Sequence, residues 1–542
     1  MQHRRNIPRV LVGALTIALA ACTSDAVDGT PPSTTTTTTT AVPVPTTESV
    51  PVPATESVPV STTEPEPEQT MATPESSERL LGGAEVALAT IACDKLAAAP
   101  AICGTASVPA DWTKPNAATI DVFYVLIPAA SGAPTGTVVP FMGGPGESIT
   151  AQIGRLAPLS DGLPNSDMLI VDVRGAGRSG ALTCAVLDDA SERPVGSRQV
   201  EDTARCAEQI GARRNHYTTV ASVLDIESIR RGLGLERPSL VGFSYGTFMA
   251  QTYTTLFPDD VRGAVLDGAF PIEQNGWGTD IPTSIEPVLE LRCERTGACP
   301  NGAASVAASI RTIAASLAET PVVLPGVEQE LTEGMFANVI QFSIQDSAME
   351  SFVEMVAAAA RGDLRHLEEA ALALVVPVPL EPTVYSPALF NAIACNDYAV
   401  QFDVDDEASV RRIDFEHRLD ELPDDEFDMF SKRGWIGSGS DEGDMCLAWP
   451  APDVSPELRI PRGVQRPDVP VLVVNGDIDM QTPLSGARRV AAAFPNSVLL
   501  VVPNAGHVAL PVSECAARIE FAFLADPVLP DGDACLDQAV PE

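Results

Sequence analysis

Pro238-Ser-Leu-Val-Gly242-Phe243-Ser244-Tyr245-Gly246-Thr-Phe-Met-Ala-Gln-Thr-Tyr253 is the stretch around which the chain is organised. Its first six residues form a short apolar run that reads as a buried strand, and those after Ser244 read as the opening turns of a helix. Gly242 and Gly246 stand two before and two after the serine, a G-x-S-x-G pattern. With no side chain at either glycine, strand and helix can pass close together while the serine backbone takes a strained turn that lifts its hydroxyl clear of the sheet. Such a serine is a candidate nucleophile. An ordinary Gly-Ser turn would carry the same pattern, so the reading depends on what the rest of the chain supplies.

Working outward, residues 219–233 place Val220, Val223, Ile226, Ile229 and Leu233 at helical spacing, with Gly232 and Gly234 ending the helix. Residues 262–267 read as the next strand. Upstream, residues 119–127 alternate as a strand would, and the apolar run 137–142 ends in Gly143-Gly144-Pro145-Gly146. A glycine-rich loop at the carboxyl end of a strand leaves backbone N–H groups unshielded, which is what a developing oxyanion needs. A further buried strand ending at Val171 delivers Asp172 and Arg174 to a loop edge, and this pair reads as an internal ion pair fixing the loops around the site. Buried strands alternating with helices imply an α/β chain with a doubly wound, mainly parallel sheet.

The pattern changes over 271–465, where helical periodicity dominates, alanine-rich at 303–318, 347–361 and 363–375. This reads as a large, mostly helical cap inserted over the carboxyl edge of the sheet. Strand-like runs resume at 468–476 and 497–503. An activated serine needs a base within hydrogen-bond reach and an acid to orient that base. In an architecture of this kind the chain order is serine, acid, histidine. Of five histidines, His3 lies in the amino-terminal segment, His216 precedes the serine, and His366 and His417 fall within the insertion. His507, in the loop directly after a buried strand, is the candidate base. The loop after the preceding strand offers Asp477 and Asp479; Asp479 is the favoured acid, with Asp477 as a cap or structural residue.

The motifs GGPG at 143–146, DVRGAGRS at 172–179, GFSYGT at 242–247, LDG at 266–268, GDIDMQTP at 476–483 and AGH at 505–507 resemble those of the proline iminopeptidase branch of the α/β-hydrolases. The nearest resemblance is to its secreted bacterial members, the tripeptidyl aminopeptidases, and it covers essentially Cys93 to Cys535, including VPADWTKP at 108–115, NAIACND at 391–397 and CLAWP at 446–450. It implies an α/β-hydrolase fold, with the aspartate three residues before the Thr-Pro, Asp479, as the acid. Two positions depart from the family pattern. Met142 precedes GGPG where many relatives have histidine, which should leave the backbone oxyanion donors intact. Glu147 follows it where a small residue is common, which adds a carboxylate near the site.

With 542 residues the chain exceeds one ordinary domain. Residues 1–21 combine Arg4, Arg5 and Arg9 with a short apolar run, and Leu19-Ala20-Ala21-Cys22 resembles the lipobox of bacterial lipoproteins. The apolar run is too short for a membrane span, which needs about 20 residues, and reads as a cleaved signal peptide with lipid on Cys22. Residues 22–82 are rich in threonine and proline, with seven consecutive threonines at 34–40, and read as an extended linker, so the folded body is expected to start near Gly83. The hydrolase core would then comprise 83–270 and 466–542. Beyond Cys22, the ten remaining cysteines fall as near neighbours, and pairing Cys93 with Cys103, Cys184 with Cys206, Cys293 with Cys299, Cys395 with Cys446 and Cys515 with Cys535 gives five local disulfides suited to an exported protein. A net charge of −39 with three lysines argues against a nucleic-acid partner.

These readings converge on an exported serine hydrolase, extracytoplasmic and lipid-anchored to the membrane, or secreted if the anchor is released. Ser244 would be nucleophile, His507 base and then acid, Asp479 orienter, and the backbone N–H groups of Gly144 and Tyr245 the oxyanion hole, with no metal or cofactor. The resemblance implies an aminopeptidase releasing tripeptide-like amino-terminal fragments. Glu147 and Asp397 are the candidates for binding a substrate's free amino group, a cation that needs an anionic partner when buried. A secreted carboxylesterase is the alternative within the enzyme class, and a non-catalytic lipoprotein binding peptides or cell-wall components is the alternative outside it.

Overall fold

A computed structural model describes residues 71–93, 100–188, 200–375, 381–439 and 444–536. The expected signal peptide, the expected lipidation site Cys22 and the expected linker up to residue 70 lie outside the described residues.

Nine strands form one sheet in the order β1-β2-β3-β5-β4-β6-β7-β10-β11. They are β1 (Ala87–Ile91), β2 (Ile102–Pro109), β3 (Thr119–Ile127), β4 (Gly136–Phe141), β5 (Ser166–Val171), β6 (Pro238–Phe243), β7 (Gly263–Asp267), β10 (Val471–Gly476) and β11 (Ser497–Val502). The pairs β1–β2, β2–β3 and β3–β5 are antiparallel, and every pair from β5–β4 to β10–β11 is parallel. Strands β4, β6, β7 and β10 are buried along their whole length, as parallel strands covered on both faces must be. On one face Val138, Val241 and Val265 pack with Leu159 and with Ile519 and Phe523 of the helix Glu514–Ala525. On the other, the helices Thr219–Gly232 and Tyr245–Leu256 pack together, the second lying across β4, β6 and β7.

The folded body starts earlier than residue 83. Pro74–Gly82 is a helix, because Thr73 and Ser76 form a reciprocal capping box at its start and Leu80 is buried. Its Glu78 pairs with Arg231 on the helix Thr219–Gly232. Composition marks this stretch as part of the linker, but its first turn carries the capping signal that ends it.

Between β7 and β10 the chain is mostly helical. The helices include Asp280–Thr296, Ala303–Glu319, Glu333–Asp346, Met349–Ala360, Arg365–Val375, Pro387–Asp397 and Ala408–Glu421, with a small antiparallel ribbon of β8 (Val322–Val323) and β9 (Glu330–Leu331). Arg295 and Asp280 on the first of these helices reach back to Asp477 and Arg489 of the core. Disulfides join Cys93 to Cys103, Cys184 to Cys206, Cys293 to Cys299, Cys395 to Cys446 and Cys515 to Cys535.

Asp172 and Arg174 do not pair with each other. Arg174 is fully buried against Asp225, with Nε 2.7 Å from Oδ2, and it also donates to the carbonyls of Pro109, Ala110 and His216. The Asp172 carboxylate instead accepts from Ser148 Oγ at 2.9 Å and from the N–H groups of Thr150 and Arg178 at 3.0 and 2.9 Å. The strand ends at Val171 and Arg174 already lies in a turn, so these residues, two apart, do not share the common face that a continuing strand would give them. Each still fixes loops: Asp172 holds the chain just after Glu147, and Arg174 ties β2 to the segment before the helix Thr219–Gly232.

Candidate active site

Ser244 follows β6 directly, with φ 56° and ψ −124°, and Tyr245 opens the helix behind it. A non-glycine residue at positive φ costs free energy of order 1–3 kcal/mol, and surrounding packing must hold it there. Close packing explains the glycines on either side: a Cβ on Gly242 would stand 2.3 Å from Gly246 O, and one on Gly246 would stand 2.2 Å from Phe141 O. Ser244 N–H donates to Asp267 O at 3.1 Å, which pins the turn to the end of β7.

The glycine loop after β4 lies alongside. A Cβ on Gly143 would come within 2.9 Å of Ser244 Cβ and 3.3 Å of its Oγ. Tyr245 is the first helical residue, so its N–H has no intrahelical acceptor. Gly144, exposed and at φ 117°, presents its backbone without a side chain.

His507 and Asp479 are brought together. Nδ1 of His507 lies 3.0 Å from Asp479 Oδ2 and 3.2 Å from Oδ1, with both side chains buried. The carboxylate is held by four groups: Gln481 and Thr482 N–H donate to Oδ1 at 2.8 and 2.9 Å, and Thr482 Oγ1 donates to Oδ2 at 2.7 Å, beside the imidazole. An acceptor facing Nδ1 places the ring proton there and leaves Nε2 as the basic nitrogen. Burial alone would lower the histidine's pKa; Asp479, with Asp267 and Asp346, outweighs it and holds the pKa above the usual histidine value. Asp477 is engaged elsewhere, accepting Asn504 N–H at 2.8 Å and pairing with Arg295.

Glu147 is half-buried beside the glycine loop, and its Oε2 accepts from Gln152 Nε2 at 3.1 Å. Burial pushes its carboxyl above the usual range, against the opposing pull of Gln152, Arg155 and His507. It lines a small pocket with Met142, Gly143, Ile149, Tyr245 and Met249. The inserted segment meets the loop here: Ser148 N–H donates to Val384 O at 2.9 Å, and Ser386 N–H donates to Gly146 O at 3.0 Å.

Asp397 is placed differently. It is 3% exposed, and its Oδ2 accepts the N–H of Thr219, the first residue of a helix, at 2.6 Å. That N–H has no intrahelical acceptor, so the carboxylate fills a structural need behind Tyr245, whose hydroxyl is 2.8 Å from Thr219 Oγ1. Burial raises its pKa to about 7. Its other oxygen, Oδ1, is buried and has no hydrogen-bond partner among the described residues. Asp346, not singled out in the sequence, ends an inserted helix at an exposed position and contributes to the field at His507. No periodicity or motif marks it, since its relation to His507 depends on how the insertion docks.

Residues 137–290 match the family model described as alpha/beta hydrolase fold, and residues 435–535 match that described as TAP-like protein. The chain has the α/β-hydrolase fold. Over 187 residues it is 30% identical to the serine protease Hip1 of Mycobacterium tuberculosis, an alignment covering 31% of this chain and only 36% of the relative. It is 25% identical over 444 residues to the tripeptidyl aminopeptidase of Streptomyces coelicolor, covering 75% of this chain and 77% of that protein. It is also 28% identical over 225 residues to carboxylesterase B of Mycobacterium tuberculosis, covering 37% of this chain and 43% of the relative.

Proposed function

We propose that this protein is an exported serine peptidase that removes short peptides from free amino termini. The observation that carries the reading is the His507–Asp479 pair, locked on the same sheet edge as the strained Ser244 turn, within 3.0 Å of each other. In the proposed reaction Ser244 Oγ attacks the scissile carbonyl and passes its proton to His507 Nε2. Asp479 orients the ring and stabilises the imidazolium. The N–H groups of Tyr245 and Gly144 receive the oxyanion. His507 then protonates the departing amine, and water, activated by the same nitrogen, hydrolyses the acyl-enzyme.

Similarity to a tripeptidyl aminopeptidase along three quarters of the chain supports the peptidase reading, and the TAP-like carboxyl-terminal segment contains both Asp479 and His507. We assign the substrate's amino group to Glu147, which lines the pocket next to Tyr245, with Asp346 adding negative potential at His507. Five disulfides support an oxidising compartment outside the cytoplasm, and the lipobox-like sequence supports an anchor on Cys22.

The similarity to carboxylesterase B keeps an esterase as the second reading, because a Ser-His-Asp set does not distinguish ester from amide. Chromogenic tripeptide amides with free and with blocked amino groups, assayed beside a short-chain p-nitrophenyl ester, separate the two. Cleavage of the free-amino peptide at a kcat/KM at least tenfold above the blocked one supports the aminopeptidase. Turnover of the ester alone overturns it.

A further inference from the structure

Asp267 closes β7 and is entirely buried, yet it belongs neither to the proposed catalytic set nor to any ion pair in the described residues. Its backbone carbonyl accepts the N–H of Ser244 at 3.1 Å. Its carboxylate accepts two further backbone donors, Ala509 N–H on Oδ1 at 2.8 Å and Leu510 N–H on Oδ2 at 2.9 Å. Those two amides follow Val508, which stands at φ 66° immediately after His507. A β-branched residue rarely adopts this left-handed conformation, because its Cβ crowds the neighbouring carbonyl. The conformation persists only where the surroundings over-determine it. Here the surroundings are the two charge-assisted hydrogen bonds to Asp267, on the residues directly downstream of the strained one. The next residue, Gly268, lies flat against the imidazole: a Cβ there would stand 3.2 Å from His507 Cε1.

We infer that Asp267 is a positioning residue for both halves of the proposed catalytic set, setting the Ser244 turn through its backbone and the His507 turn through its carboxylate. The inference rests on the reading of Ser244 and His507 as nucleophile and base. It assigns a role to the LDG segment, which the catalytic scheme leaves unused. The parallel register explains why this residue serves: Phe243 pairs with Asp267 and Asp267 with Val474, so the end of β7 sits between the serine strand and the strand that carries the acid.

The carboxylates facing His507 are Asp479 and Asp267 from the core, Glu147 beside the glycine loop and Asp346 from the insertion. Asp267 is in turn faced by His507, Asp479 and the buried Glu520. Replacing Asp267 by Asn removes one charge from this set and substitutes an N–H donor for one of its two acceptors.

The test uses the purified protein, p-nitrophenyl butyrate and a fluorophosphonate probe that labels active serines. Ser244→Ala is run in parallel; persistence of labelling in that variant would overturn the nucleophile assignment itself, separately from the role of Asp267. For Asp267→Asn we expect kcat and the labelling rate to fall about 10- to 100-fold with KM within about twofold, as misplaced catalytic groups would produce. The acid limb of the pH profile should move to lower pH, since a negative charge near the imidazole is lost. Val508→Gly added to Asp267→Asn should recover several-fold of the loss, because glycine holds φ 66° without the clamp. Should Asp267→Asn fail to accumulate as folded protein, Asp267→Glu, which keeps the charge but displaces the acceptors, carries the same kcat and rescue tests. Parental rates in the Asp267 variant, or a loss that Val508→Gly does not relieve, would overturn the inference.

Discussion

The guanidinium of Arg295 grips the carboxylate of Asp477, with Nη1 3.1 Å from Oδ1 and Nη2 2.5 Å from Oδ2. Arg295 comes from the first inserted helix, and Asp477 lies two residues before the acid of the proposed catalytic set. Nη1 also donates to Asn504 Oδ1 at 2.6 Å, three residues before His507. One inserted side chain therefore touches both loops that carry the acid and the base.

Loss of this grip should register as loss of order rather than of stability. Arg295 is partly exposed, so its pairing contributes about 1 kcal/mol or less after solvent screening. Arg295→Gln is expected to lower kcat/KM about tenfold while the thermal midpoint changes little, and to speed amide exchange across 476–482. Unchanged exchange and rate would show that the acid loop holds itself.

Ser244→Ala is expected to lower kcat by about 10⁴- to 10⁶-fold and to abolish fluorophosphonate labelling, leaving the residual catalysis of the oxyanion donors and binding alone. Circular dichroism should match the parent, since the turn keeps its backbone bond to Asp267. Activity near the parental level would remove this serine from the mechanism.

His507 must be neutral to accept a proton, and its folded pKa lies above the ordinary histidine value. The acid limb of kcat/KM is therefore expected above about pH 6.5. The same shift has a defined sign for stability. It stabilises the fold below the unfolded histidine pKa and is lost as pH rises through the folded one, so this contribution declines where activity appears. A limb well below 6.5, with the chain folded, would contradict the field of carboxylates around the ring.

Asp225→Asn leaves Arg174 as an uncompensated buried charge and weakens the acceptor of Trp112 Nε1, now at 3.0 Å. A loss of about 3–5 kcal/mol is expected in urea unfolding, with the catalytic set untouched. A loss under about 1 kcal/mol would mean that the carbonyls of Pro109, Ala110 and His216 suffice for the arginine.

Metabolic labelling with a radioactive fatty acid should tag the exported chain, and Cys22→Ser should remove the tag. An untagged parent in the culture supernatant would sink the anchor.

What could be read from the sequence was what depends on strand ends. Ser244, Asp479 and His507 each follow an apolar run, so period and turn chemistry nominate them even though the strand before His507 is only partly buried, and the alternation of strands and helices announces the parallel sheet. Contacts made across the sheet were out of reach. Asp267 is visible only as the last residue of a short strand; its two amide donors lie more than two hundred residues away, and their arrival depends on strand order. Asp225 is hidden for the same reason, since a helix interior gives no sign that one of its carboxylates faces Arg174. Asp397 shows the converse: a motif drew attention to a carboxylate but gave no sign of the helix terminus that holds one of its oxygens.

The two backbone hydrogen bonds that flank Glu147, from Ser148 to Val384 and from Ser386 to Gly146, make the glycine loop and the insertion a single mechanical unit. A compound wedged beneath residues 384–386 would drag that loop away from Ser244 without touching the serine. Its inhibition would be non-competitive toward small esters, and it would owe its selectivity to inserted residues rather than to the chemistry that serine hydrolases share.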